Sequence, residues 1–130
     1  MQDPKPFKLT VEERDSYVYA RVKGDKPAPS GSRAYLELIA EHCQRCMCTS
    51  ILIEKCTPEP FAVWDAFAVA PTLAKIGAPH IKIAVVEKGD EFPAQTALEV
   101  KVGRRCGIDV HVFSDGFEAK RWLRSGQTSN

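Results

Sequence analysis

Ile51-Leu52-Ile53, followed by Glu54, is a short continuous apolar run. Such a run is typical of a strand buried on both faces, as in a parallel sheet covered by helices. Two further stretches, Ile81–Val86 and Ile108–Phe113, also read as strands. Between and around them the apolar period changes from that of a strand to that of a helix. Over Arg33–Met47, Leu36, Ile39, Cys43 and Cys46 recur at spacings of three and four, which makes one apolar stripe, and Ser30 or Ser32 can cap the first turn.

Downstream, Thr57-Pro58 reads as a helix start, with Thr57 as cap and Pro58 in the first helical position. Phe61, Trp64, Phe67 and Ala68 form its buried stripe. Pro71 is expected to end or kink that helix, and a short piece continues to Ile76, closed by Gly77 and Pro79. Glu91–Arg105 reads as a further helix. A last one follows Asp115, which with Glu118 forms a variant capping box, and runs to about Arg124 with Ala119, Trp122 and Leu123 inward. Ahead of all this, Phe7, Leu9 and Val11 alternate in one strand, and Ser16–Lys23 is a second, aromatic and β-branched strand. The short gap between them predicts an antiparallel hairpin.

The predicted order is β-β-α-β-α-β-α-β-α. Strands alternating with helices predict a single α/β domain over residues 1–130, with tails at 1–6 and 126–130. Its sheet is five-stranded, mixed and mainly parallel, with an N-terminal hairpin, about four helices and the first strand as the antiparallel edge.

The 130 residues carry 18 Lys and Arg against 17 Asp and Glu, a net charge of +1. That balance argues against nucleic-acid or membrane-surface binding driven by bulk electrostatics. Apolar runs around Phe61–Ala70 and Ile81–Val86 are too short to span a bilayer, and Met1–Pro6 has no apolar leader core. Five cysteines, an odd number, cannot all pair internally. The expectation is a reduced, cytoplasmic protein.

Tyr17–Gly24, Ile51–Glu54, Lys82–Val86 and Val110–Asp115 leading to Glu118–Leu123, in that order and spacing, give the chain a wider likeness. It resembles the SpoIIAA-like proteins, also called STAS or Sec14-like domains, over nearly its whole length. The resemblance implies a compact SpoIIAA-like α/β domain of the kind found as small single-domain bacterial proteins of uncharacterised function. Anti-sigma-factor antagonists of that group carry an Asp-Ser-Ser-Gly-type turn after the central strand. Here the segment reads Glu54-Lys55-Cys56-Thr57-Pro58-Glu59, with Thr57 its only hydroxyl.

Three constellations have chemical potential. His42-Cys43-Gln44-Arg45-Cys46-Met47-Cys48 offers three thiols and an imidazole. However, Cys43 and Cys46 share a stripe with Leu36 and Ile39, and His42 lies about 100° around the helix from Cys43. Cys43, Cys46 and Cys48 are therefore read first as structural and only then as thiol ligands. Cys56 stands between a strand end and a helix start, where a thiol can be activated. Glu54, Glu87 and Asp115 fall near the carboxyl ends of parallel strands, where open α/β sheets usually bind ligands. Tyr17 and Tyr19, opposite Val18 and Ala20, are expected to form an exposed aromatic patch suited to homodimerisation.

The leading expectation is a non-enzymatic cytoplasmic binding or regulatory module that acts through protein–protein contacts. Its partner is an unidentified protein, contacted at the hairpin and the 57–76 segment, with no cofactor, nucleic acid or transmembrane segment. The first alternative is a binder of a small apolar or lipid-like ligand under that segment. The second is a thiol- or metal-dependent protein using Cys56 or the Cys43, Cys46 and Cys48 cluster. The candidate contact residues are Glu54, Cys56, Thr57, Phe61, Trp64, Glu87 and Asp115.

Overall fold

A computed structural model describes residues 7–14, 16–24, 33–57, 68–77, 80–87 and 108–128. Strands β1 (Lys8–Glu13) and β2 (Val18–Lys23) form the hairpin, and α1 (Arg33–Cys46) crosses to β3 (Ser50–Cys56). Then come α2 (Ala70–Ala74), β4 (Ile81–Glu87), β5 (Ile108–Phe113) and α3 (Gly116–Thr128). The five strands lie in sequence order, β1-β2-β3-β4-β5. The first pair is antiparallel and the rest are parallel. The architecture is the mixed α/β sheet expected from the sequence, with three helices among the described residues.

Alternation along each strand divides its side chains between two unequal layers. On one face Val18, Ala20, Val22, Ile51, Ile53, Ile83, Val85 and Val110 pack beneath α1 and α2, which contribute Tyr35, Leu36, Ile39, Cys43 and Leu73. On the other face a smaller layer joins Tyr17, Leu52 and Ala84 to Ala119 and Leu123 of α3. Ile51, Leu52 and Ile53 are all buried because β3 is the central strand, covered on both sides.

Several local expectations change. Tyr17 is buried in the smaller layer, and half-buried Tyr19 packs against it, so the predicted exposed aromatic patch does not form. The small cover that α3 provides leaves room for an aromatic ring on that face. Helical backbone at Ala68 breaks at Val69, and Pro71 stands at the start of the short piece that follows, as expected. It sits in the first turn of α2, where its missing N–H has no intrahelical acceptor to lose. Gly77 does close this segment, with φ at 84°. The last helix continues to Thr128, past the predicted end near Arg124 and into the predicted tail. Of the expected buried stripe, Ala68 is exposed, while Phe61, Trp64 and Phe67, like the helix over 91–105, lie outside the described residues.

Asp115 caps α3 as predicted, its Oδ1 accepting the Phe117 N–H at 3.0 Å. The end of α1 is less usual. Met47 takes the left-handed conformation, φ 58°, in the position where glycine is the common choice. The Cys48 N–H then reaches back to the Cys43 carbonyl at 3.1 Å. No described helix is long and apolar enough to cross a membrane.

Candidate functional site

The carboxyl ends of β3 and β4 hold the first cluster. Register places Lys55 opposite Glu87 and Glu54 opposite Val86. Lys55 has the same parity as Ile51 and Ile53, so its side chain enters the larger layer, where it is 0% exposed. Its ammonium lies 3.4 Å from Glu87 Oε1 and donates to the Thr57 carbonyl at 3.1 Å. A buried cation needs such partners, because an unpaired one would carry a desolvation penalty of several kcal/mol.

Glu54 points to the opposite face. It accepts the Tyr19 hydroxyl at 2.9 Å and lies 3.6 Å from Arg21. Partial burial, and then the neighbouring Glu54 carboxylate, push the Tyr19 phenol above its ordinary range. Glu54 and Glu87 therefore do not converge, since one-residue parity sends them to different sides of the sheet. Cys56 is exposed on the Glu54 side, and Asp115 is occupied as a helix cap. The Thr57 hydroxyl is buried and makes no hydrogen bond, so the cap predicted from it is not made. Phe61 and Trp64 lie outside the described residues. Sequence reasoning missed Lys55, although its parity with Ile53 is a readable signal.

A second cluster lies at the other end of the sheet, where α1 ends and β2 and β3 begin. Cys43 is fully buried in the core, and burial pushes its thiol up to about 12. Cys46 is half-buried, its thiol also shifted upward by burial and then by Cys48. The Cys48 thiol donates to the Ser50 carbonyl at 3.3 Å. A cleft of about 330 Å³ opens here, lined by Glu13, Arg14, Tyr17, Cys46, Met47 and Cys48, among others.

His42 approaches the same place. Its Nε2 lies 3.6 Å from Glu13 Oε1, too long for a hydrogen bond. That nitrogen is buried and has no hydrogen-bond partner. Leaving a buried polar atom unsatisfied costs about 1–3 kcal/mol. The sequence reading set His42 apart from Cys43, about 100° around the helix, and did not match it with another thiol. The partner on its own face is Cys46, four positions along, as helix geometry requires.

A third surface lies along β1, the edge strand. A groove of about 490 Å³ separates it from α1, lined by Phe7, Lys8, Leu9, Val11, Leu38, Glu41, His42 and Arg45. Leu38 is 40% exposed there. Beneath α3, the His111 imidazole lies 3.2 Å from Asp109 and against the Trp122 ring at 4.6 Å, which makes it a packed sheet residue.

No family model matches the chain. No curated protein matches it either. Among solved structures it is similar to an uncharacterized protein of the DUF3478 family with a SpoIIAA-like fold, from Shewanella loihica PV-4. The TM-score is 0.50 at 14% identity, over 95% of this chain and 98% of that one. The likeness establishes the fold, which is SpoIIAA-like.

Proposed function

We propose that the chain is a non-enzymatic binding module that acts through protein–protein contacts at the open edge of β1. The observation that carries this reading is the groove beside that edge. Leu9 and Val11 are only partly buried, Leu38 is exposed above them, and β1 pairs with β2 alone among the described strands. An edge strand offers unpaired backbone N–H and C=O groups on one side, and an added strand satisfies them.

The edge favours a second copy of the same chain. β1 reads Lys8-Leu9-Thr10-Val11-Glu12-Glu13. Antiparallel pairing of two copies about Thr10 sets Lys8 opposite Glu12, Leu9 opposite Val11, and Thr10 opposite Thr10. Opposite charges, apolar pairs and paired threonines each stabilise adjacent strands by roughly 0.2–1 kcal/mol. The contact is isologous, so every favourable pair occurs twice about the two-fold axis.

Charge exchange tests the register. Sedimentation of the full chain should show a concentration-dependent dimer. Lys8→Glu alone sets two acids against each other at both ends and should weaken the dimer by about tenfold or more. Glu12→Lys should do the same with two lysines. The double variant Lys8→Glu/Glu12→Lys restores complementarity and should recover the dimer. A chain that stays monomeric at high concentration, or a double variant no better than the singles, sinks the proposal. Cytoplasmic localisation remains part of the reading, on the strength of the odd cysteine number and the four free thiols among the described residues.

A further inference from the structure

We infer that Glu13, His42 and Cys46 form a binding site for a zinc-class divalent cation, with a fourth coordination position open to the cleft at the end of α1. Their ligand atoms lie within 4.8 Å of one another. The three come from two elements that the fold brings together. Glu13 ends β1, while His42 and Cys46 stand one turn apart on the same face of α1, near its carboxyl end.

The distances suit a metal better than an ion pair. Zinc bonds of about 2.0–2.1 Å to nitrogen and oxygen make the N···O edge of a tetrahedron about 3.3–3.4 Å. His42 Nε2 and Glu13 Oε1 stand 3.6 Å apart, beyond hydrogen-bond range and close to that edge. A zinc–sulfur bond of about 2.3 Å makes the edges to Cys46 about 3.5–3.6 Å, so closure from 4.8 Å or less needs about 1 Å of movement. Glu13 is an exposed side chain able to supply its share of that movement.

A second observation points the same way. His42 Nε2 is buried and has no hydrogen-bond partner, although two groups that can act as ligands stand beside it. A cation would use that lone pair. Nitrogen, oxygen and sulfur donors together match a borderline ion such as Zn²⁺. The charge also closes. Binding releases the Cys46 thiol proton to solvent, and the thiolate and Glu13 carboxylate then balance the two positive charges around a neutral imidazole.

Three protein ligands with one position left open is the arrangement of zinc sites that accept a further ligand. Here that position would face the cleft shared with Arg14, Tyr17 and Cys48, where a water or small anion can reach it. Left-handed Met47 turns the chain so that Cys46 and Cys48 line the same opening. The site does not rest on the β1 pairing proposed above, since Glu13 lies outside the segment from Lys8 to Glu12.

Co²⁺ is the probe, because thiolate ligation produces a charge-transfer band and tetrahedral geometry gives visible d–d bands. Titration of the reduced full chain should saturate at one equivalent, and Zn²⁺ should displace the colour. Cys46→Ser should abolish the charge-transfer band, whereas Cys56→Ser should leave it intact. His42→Ala and Glu13→Gln should each weaken Zn²⁺ binding by more than the roughly 10- to 100-fold that an outer partner contributes. Glu13 is a surface residue, so its variant tests the site without threatening the fold. Added imidazole should shift the visible bands, and bands indifferent to it would overturn the open fourth position. The site itself is overturned if no Co²⁺ binds at micromolar concentration. It is equally overturned if the band survives Cys46→Ser or if Glu13→Gln binds as the parent does.

Discussion

The two ends of the parallel strands are built in opposite ways. At the carboxyl end, Lys55 is buried, but its ammonium reaches Glu87 and the Thr57 carbonyl. There Glu54 is held by Tyr19 and Arg21, and Asp115 by the first turn of α3. At the amino end, His42 Nε2 has no hydrogen bond, Met47 adopts a left-handed backbone, and thiols share the opening with a carboxylate. Ligands in open α/β sheets usually bind at the carboxyl end. In this chain the described acids at that end are each held by neighbours, although the Thr57 hydroxyl there makes no hydrogen bond, whereas the other end brings an unbonded imidazole nitrogen together with a thiol and a carboxylate. Strand-end position therefore shows where a site can form. Polar satisfaction shows which groups remain available to a ligand.

The largest expected effect tests whether the carboxyl end is a closed polar system. Glu87→Gln removes the carboxylate facing a fully buried ammonium and should destabilise the protein by about 3 kcal/mol in urea unfolding. Lys55→Met replaces the ammonium with an apolar side chain of similar length. Combined with Glu87→Gln, it should recover most of that loss. If Glu87→Gln is neutral, the pair is not structural and the contrast between the two ends collapses.

A smaller effect probes the core beside the amino end. Burial raises the Cys43 thiol from 9.0 to about 12, so the folded chain holds this proton after the unfolded chain has lost it. Between those two values the native state binds more protons, and stability must fall as pH rises, by at most about 1.4 kcal/mol per pH unit. Well below pH 9 the thiol is neutral in both states and contributes no slope. Urea unfolding of the parent and of Cys43→Ala across this window isolates the contribution. Equal slopes would show that Cys43 ionises freely in the fold.

The smallest effect concerns the backbone at the end of α1. Met47→Gly relieves a left-handed conformation unfavourable to a side chain, and should stabilise the protein by up to about 1 kcal/mol in the same assay. A loss of stability would mean that the exposed Met47 side chain makes contacts worth more than the strain. The feature that distinguishes the amino end would then be a packing choice.

Much of the fold was legible because it rests on period and punctuation. Ile51-Leu52-Ile53 marked the central strand, and Gly77 and Asp115 marked element ends. Pro71 marked a break between helical pieces, because proline disfavours a helix interior but fits a first turn. Tyr17 misled because alternation assigns a side chain to a face without saying how thoroughly that face is covered. The site was less legible still. Lys55 could be placed inside by parity, but its partner sits 32 residues away across the β3–β4 register. His42 and Cys46 were recoverable as an i, i+4 pair, whereas Glu13 was not.

The sequence alone therefore determined the order of the described strands and helices, the hairpin, the central buried strand and the cap of α3. Each depends on interactions within a few residues, or on a periodicity that any segment displays by itself. Tertiary structure decided that Lys55 meets Glu87, that Glu54 and Glu87 face apart, and that Glu13 arrives beside His42 and Cys46. These depend on strand register and on where α1 lies over the hairpin, which are set by the packing of the whole sheet.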